Sequence, residues 1–170
     1  IIAAEKLGAP VIRIFAGKGL REGYTRAGLI ESMLPDIREC VEFGSEHGVV
    51  VGIQNHNDFI TSAEEAIEII SGIDSPWFGL ILDIGSFRRG DPYLQIEQAI
   101  SHAVSWQIKE EVYRGAQGEN TDLARLVKMI RESGYRGYIP IETLGSGDPF
   151  FKVHCFLKNL NGVLENSSGE

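Results

Sequence analysis

Five short runs of β-branched and large apolar residues alternate along this chain with stretches whose apolar side chains recur at helical spacing. The runs cover residues 11–15, 49–53, 78–82, 104–108 and 138–141. Between and after them, five sets of apolar residues fall three or four apart. These are Ile30, Met33, Leu34, Ile37 and Val41; Ala63, Ala66, Ile67 and Ile70; Ile96 and Ile100; Leu123, Leu126, Val127 and Ile130; and Val153, Phe156, Leu157 and Leu160. A β–α–β–α order predicts a parallel sheet built by right-handed crossovers, because parallel neighbours need a connection long enough to hold a helix. Strands apolar along nearly their whole length fit a sheet covered on its faces. A doubly wound sheet and a closed barrel both satisfy this pattern. No GxGxxG follows the first run, so nothing supports a dinucleotide-binding sheet.

Local signals mark where the elements start and stop. Ser62 with Glu65 three residues on reads as a capping box. Asp91-Pro92 and Asp148-Pro149 each read as an N-cap followed by proline in the first turn. Thr121 or Asp122 caps the next-to-last helix, which Gly134 closes. Gly8 and Gly48 end earlier helices. Pro35, inside the first long helical stretch, is expected to kink it or mark a restart. Pro140 sits awkwardly in the last run, since a central strand needs its N–H. The opening Ile1-Ile2-Ala3-Ala4 reads as a helix entered midway, and residues 165–170 as a frayed tail after one domain spanning 1–164.

The composition narrows the class further. A chain of 170 residues that is 43% hydrophobic, with mean hydropathy -0.06, can build one sizeable core. No apolar run approaches the roughly 20 residues of a membrane helix, and no charged n-region precedes an apolar segment. The expected location is therefore cytoplasmic. A formal charge of -8 argues against a nucleic-acid partner. Cys40 and Cys155 lie far apart without metal-site spacing and are expected to be buried, inert thiols.

Polar residues cluster where the apolar runs end. Gln54, Asn55, His56, Asn57 and Asp58 follow the second run, Asp83 and Ser86 the third, and Glu142 and Thr143 the fifth. Gln107, Lys109, Glu110 and Glu111 lie at the end of the fourth. In a parallel barrel these ends meet at the one face that holds active sites. Gln54, Asp83, Gln107 and Glu142, each one βα unit apart, are expected to converge there. Trp106 alternates with Gln107, so it points into the helix layer. Phe87 and Tyr24 are candidates for an apolar wall beside that face.

Residues 49–58, 80–87, 106–110 and 138–144 resemble the sugar phosphate isomerase/epimerase family with the xylose isomerase-like barrel. The resemblance implies the C-terminal part of a (β/α)8 TIM barrel: about five βα units are present and about three N-terminal ones are missing. In that family the last four strands commonly end in Glu, Asp, His and Glu, which hold a divalent metal. Asp83 and Glu142 match this pattern, while Gln54 stands where Glu is usual and Gln107 where His is usual. Ser86 takes the place of a substrate-binding His, and Arg114 that of an Arg shortly after the fourth of these runs. The implied metal set is Gln54, Asp83, Gln107 and Glu142. Its amide oxygens can hold Mg²⁺ or Mn²⁺ weakly and suit zinc poorly.

The implied activity is a sugar or sugar-phosphate isomerase or epimerase that abstracts a proton next to a carbonyl. Glu142 would be the base, Lys109 an acid or polarising charge, and His56, Ser86 and Arg114 substrate contacts. Two alternatives stand beside it: a carbohydrate-binding protein with a degenerate metal site, and a metal-dependent hydrolase or endonuclease on the same fold. The latter needs several strand-end histidines that this chain lacks. Unpaired edges at the first and last strands are expected to favour self-association.

Overall fold

A computed structural model describes residues 1–20, 22–56 and 59–166. Asn57 and Asp58 of the polar segment after the second run, and residues 167–170 of the tail, lie outside the described residues. The elements follow the predicted alternation. They are α1 (Ile2–Leu7), β1 (Val11–Phe15), α2 (Arg26–Glu46), β2 (Val50–Gln54), α3 (Ala63–Ile73), β3 (Phe78–Asp83), α4 (Pro92–Ala99), β4 (Ala103–Lys109), β5 (Glu111–Arg114), β6 (Gln117–Asn120), α5 (Leu123–Glu132), β7 (Ile141–Glu142) and α6 (Pro149–Asn166). The main sheet has the order β1-β2-β3-β4-β7, and every pairing in it is parallel. It curls into a half-barrel with the helices on its convex side.

The caps form as the sequence dictates. Ser62 and Glu65 make a complete capping box, Asp91 accepts from the N–H groups of Tyr93 and Leu94, and Asp122 accepts from that of Arg125. Period-two alternation then sorts the strand side chains. Val51, Ile53, Leu80, Leu82, Trp106 and Ile108 are fully buried and pack with Ile69, Ile96 and Leu126 of the helices in one core. Trp106 meets Tyr135 edge to face at 5.9 Å. The opposite parity places Gln54, Asp83, Gln107 and Lys109 on the concave side.

Several expectations change. Pro35 does not break its helix: α2 runs through it from Arg26 to Glu46. Pro35 is exposed, so water can reach the carbonyl it leaves unbonded, while buried Ile30, Ile37 and Val41 hold both halves on one face. Cys40 is exposed and Cys155 half-buried, because the stripe these helices bury is narrower than the apolar pattern suggested. On α6 only Phe156 and Leu160 are buried; Val153 and Leu157 are 41% and 44% exposed. That helix packs chiefly on α5 and β7, and it runs to Asn166, past the expected boundary at 164. The last strand is short and lies after Pro140. The proline's carbonyl accepts from Ile108 N–H at 2.8 Å, so the ladder uses the acceptor that proline keeps. The β5–β6 hairpin was not legible in the sequence. Its strands, EVYR and QGEN, pair only with each other and bury one side chain, Val112.

Candidate functional site

The carboxyl ends of β2, β3, β4 and β7 bring five side chains into one network. Asp83 is fully buried. Its Oδ2 accepts from Gln54 Nε2 at 2.8 Å, Ser86 Oγ at 2.7 Å and Lys109 Nζ at 2.8 Å, and its Oδ1 accepts from Gly85 N–H at 3.0 Å. Lys109 Nζ also lies 3.0 Å from Glu142 Oε2, across the β4–β7 register that pairs the two residues. Gln54 Nε2 reaches Gln107 Oε1 at 2.5 Å as well. Asn55, also fully buried, pins the end of β3: its Oδ1 accepts from Asp83 N–H and its Nδ2 donates to Asp83 O.

Arg13, a charged residue inside the apolar run VIRIF, completes the network. Its guanidinium donates to Gln54 Oε1 at 3.0 Å. A guanidinium has no acceptor, so Gln54 must present oxygen to Arg13 and nitrogen to Asp83. The reverse orientation would set N–H against N–H on one side and oxygen against a carboxylate on the other. The available sequence signal for Arg13 was its parity with Phe15, which puts both on the concave side.

A cavity of about 660 Å³ opens beside this network, with Lys109, Glu142, Ser86 and His56 in its wall. Asp83 sits behind them. Lys109 is 13% exposed at its side chain and Glu142 36%. Burial alone would lower the Lys109 ammonium, but the Asp83 carboxylate, and then Glu142, outweigh it and hold the group above its ordinary range. His56 stands edge-on to Phe15 at 5.0 Å. The hairpin contributes Glu111, Tyr113 and Asn120 to the wall, and α6 contributes Lys152, which pairs with Glu110 at 3.3 Å.

Arg114 is not brought to the cavity. It pairs instead with Asp91 at 2.7 Å and Glu119 at 3.3 Å, on the outside of the hairpin. The arginine in the wall is Arg88, stacked over the Tyr113 ring at 4.0 Å and donating to Gly85 O and Phe87 O. Burial lowers its guanidinium against the opposing pull of Tyr113 and Asp83. Phe87 is fully buried in the core, and Tyr24 is not in the cavity wall.

Parallel βα units curled into a barrel wall, with a charged network at the carboxyl ends of the strands, define a β/α-barrel protein whose site lies on the face such barrels use. The chain belongs to the xylose isomerase-like TIM barrel family, whose model matches residues 1–160.

Among solved structures, the chain is similar to a D-tagatose 3-epimerase-like protein at 18% identity and TM-score 0.80, covering 98% of this chain and 67% of that one. It is similar to the E. coli 3-keto-D-glucoside 4-epimerase at 17% identity and TM-score 0.78, covering 94% and 66%. It is also similar to a xylose isomerase domain protein from Planctomyces limnophilus at 17% identity and TM-score 0.77, covering 98% of this chain but only 62% of that one. A family 2 AP endonuclease from Brucella melitensis shares the fold at 21% identity and TM-score 0.70, covering 85% and 59%. Two further proteins of this fold, at TM-scores of 0.68 and 0.69, carry zinc and magnesium. Among curated proteins no sequence matches. Among the described residues no helix is long and apolar enough to cross a membrane.

The side chains here do not fit such an ion. Asp83 Oδ2 already accepts from three donors, one of them an ammonium. Gln54 turns its nitrogen, not its oxygen, toward the centre, and the Gln107 oxygen is taken up by that nitrogen. Arg13 and Lys109 balance Asp83 and Glu142, so the network is neutral as it stands.

Proposed function

We propose that this chain is part of a sugar or sugar-phosphate isomerase or epimerase that moves a proton next to a carbonyl. The observation that carries the reading is the Glu142–Lys109 pair. A half-open carboxylate lies 3.0 Å from an ammonium in the wall of a cavity large enough for a small sugar. Sugar epimerases and isomerases among the structural neighbours support the same reading.

Glu142 takes the proton from the carbon beside the substrate carbonyl. The C–H electron pair becomes a C=C bond, and the carbonyl π pair moves onto oxygen. Lys109 faces the resulting oxyanion with a fixed positive charge. The proton of the neighbouring hydroxyl passes to the oxyanion and the Glu142 carboxyl returns its own proton to the former carbonyl carbon, which interconverts aldose and ketose, or the proton goes back to the original carbon. Gln54 is neutral and cannot act as a second base. Lys109, held above its ordinary range by two carboxylates, gives up its proton reluctantly. One base working from one face favours the transfer between neighbouring carbons.

The test is solvent exchange. The intact protein is incubated in D₂O with a panel of aldoses, ketoses and their phosphates, and deuterium at carbon is followed by NMR. Glu142→Gln keeps the shape and removes the base, so exchange should fall by at least about 100-fold. Near-normal exchange in that variant would refute the assignment. Saturable sugar binding with no exchange from any substrate would move the carbohydrate-binding reading ahead.

A further inference from the structure

We infer that the Lys109 ammonium takes the place of a divalent metal ion at the centre of this strand-end site, so that the site is built to work without one. Three observations carry it. The ammonium on β4 lies 2.8 Å from Asp83 on β3 and 3.0 Å from Glu142 on β7, so it bridges the network's two carboxylates. An ion held by both carboxylates would have to occupy that same point. On β2, Gln54 is locked with its nitrogen inward, because Arg13 on β1 claims its oxygen. A cation approaching Asp83 therefore meets N–H groups where it needs oxygen. The network is also already neutral, whereas a divalent ion added without loss of Lys109 would leave it with two uncompensated positive charges in a largely buried place.

The room for the lysine is built in as well. A Cβ at Gly85 would stand 2.7 Å from Lys109 Cδ and 3.0 Å from Glu111 O, so the lysine stem passes over a residue that has no side chain. Ser86, which donates to the same oxygen of Asp83, helps keep that carboxylate turned toward the ammonium. The catalytic consequence rests on the proton-transfer reading above: the charge that steadies the oxyanion is supplied by the chain itself. The binding consequence does not depend on that reading.

The experiment is a Mn²⁺ titration of the intact protein, followed by electron paramagnetic resonance, with wild type, Lys109→Met and Lys109→Gln. Wild type should show no saturable binding up to about 1 mM, the weak end of oxygen-ligand sites. Removing the ammonium takes away the cation the two carboxylates share and leaves the network with a net negative charge, so a folded Lys109 variant should bind one ion at least about tenfold more tightly than wild type. Circular dichroism identifies which variant folds. Stoichiometric Mn²⁺ binding by wild type at micromolar concentration overturns the inference whatever the variants do, and so does a folded variant that gains no affinity. In the D₂O assay, wild-type exchange should survive EDTA. Exchange lost in EDTA and restored by Mn²⁺ would overturn this inference while leaving the proton-transfer reading intact. Absence of exchange from every sugar, with or without metal, would sink that reading and leave the titration to decide this one.

Discussion

Lys109→Met should be strongly destabilising, and Asp83→Asn should partly rescue it. In the single variant the fully buried Asp83 carboxylate loses its counter-charge but keeps its bonds from Ser86, Gln54 and the Gly85 N–H. Breaking a buried pair by removing one partner costs roughly 3–5 kcal/mol, and the three remaining bonds place this case near about 3 kcal/mol. Glu142, which is 36% exposed, can rehydrate and adds little. Asp83→Asn alone should cost about 2 kcal/mol, since Lys109 keeps Glu142 but loses its closer, buried partner. The double variant has no buried carboxylate left unpaired, so its cost should fall short of the sum by about 2 kcal/mol. Urea unfolding followed by circular dichroism, with the denaturant slope unchanged, measures all three. A coupling under about 0.5 kcal/mol would show that the two charges are not paired as described and refute the reasoning. Saturating Mn²⁺ should restore stability to Lys109→Met and not to wild type, by about 2.7 kcal/mol at a hundred times the dissociation constant.

Gly85→Ala should cost about 1–3 kcal/mol by overpacking, since the backbone oxygen of Glu111 cannot give way as a side chain can. It should also reduce D₂O exchange by pushing the Lys109 stem aside, and a variant neutral in both assays would contradict the close approach. At Asp91, burial alone would raise the carboxyl, but hydrogen bonds from Arg114 and from the Leu94 and Tyr93 N–H groups outweigh it and hold the carboxyl below its ordinary range. A depressed folded-state carboxyl adds stability above the unfolded value, and that contribution is lost as pH falls through the folded one. Asn is also a good N-cap, so Asp91→Asn isolates the charge. Its penalty should be full near neutral pH and shrink as pH drops below the usual carboxylate range, while a penalty unchanged in acid would count against the Arg114 pairing.

What was legible in the sequence is what local rules control. A cap lies within four residues of the groups it satisfies, so Ser62 and Asp91 could be read directly, and the cap of α5 narrowed to Thr121 or Asp122, of which the structure uses Asp122. Strand parity repeats every two residues, so Trp106 could be sent to the helix layer and Gln107 to the concave side. Alternation of the two periodicities required parallel pairing, and with it the position of the polar residues at one set of strand ends.

The partners of those residues lay beyond such rules, because sheet register and curvature join groups 26 to 53 positions apart in the chain. Arg13 read as one charge in an apolar run until β1 paired with β2 and set it against the Gln54 oxygen. The resemblance offered Arg114 for the cavity; the hairpin pairs it with Asp91 instead, and the arginine in the wall is Arg88, stacked on Tyr113. The same holds for Lys109. Its position in the sequence allowed an acid, a polarising charge or a strand-end ion pair with Asp83 or Glu142. Only the meeting of β3, β4 and β7 set its ammonium between two carboxylates.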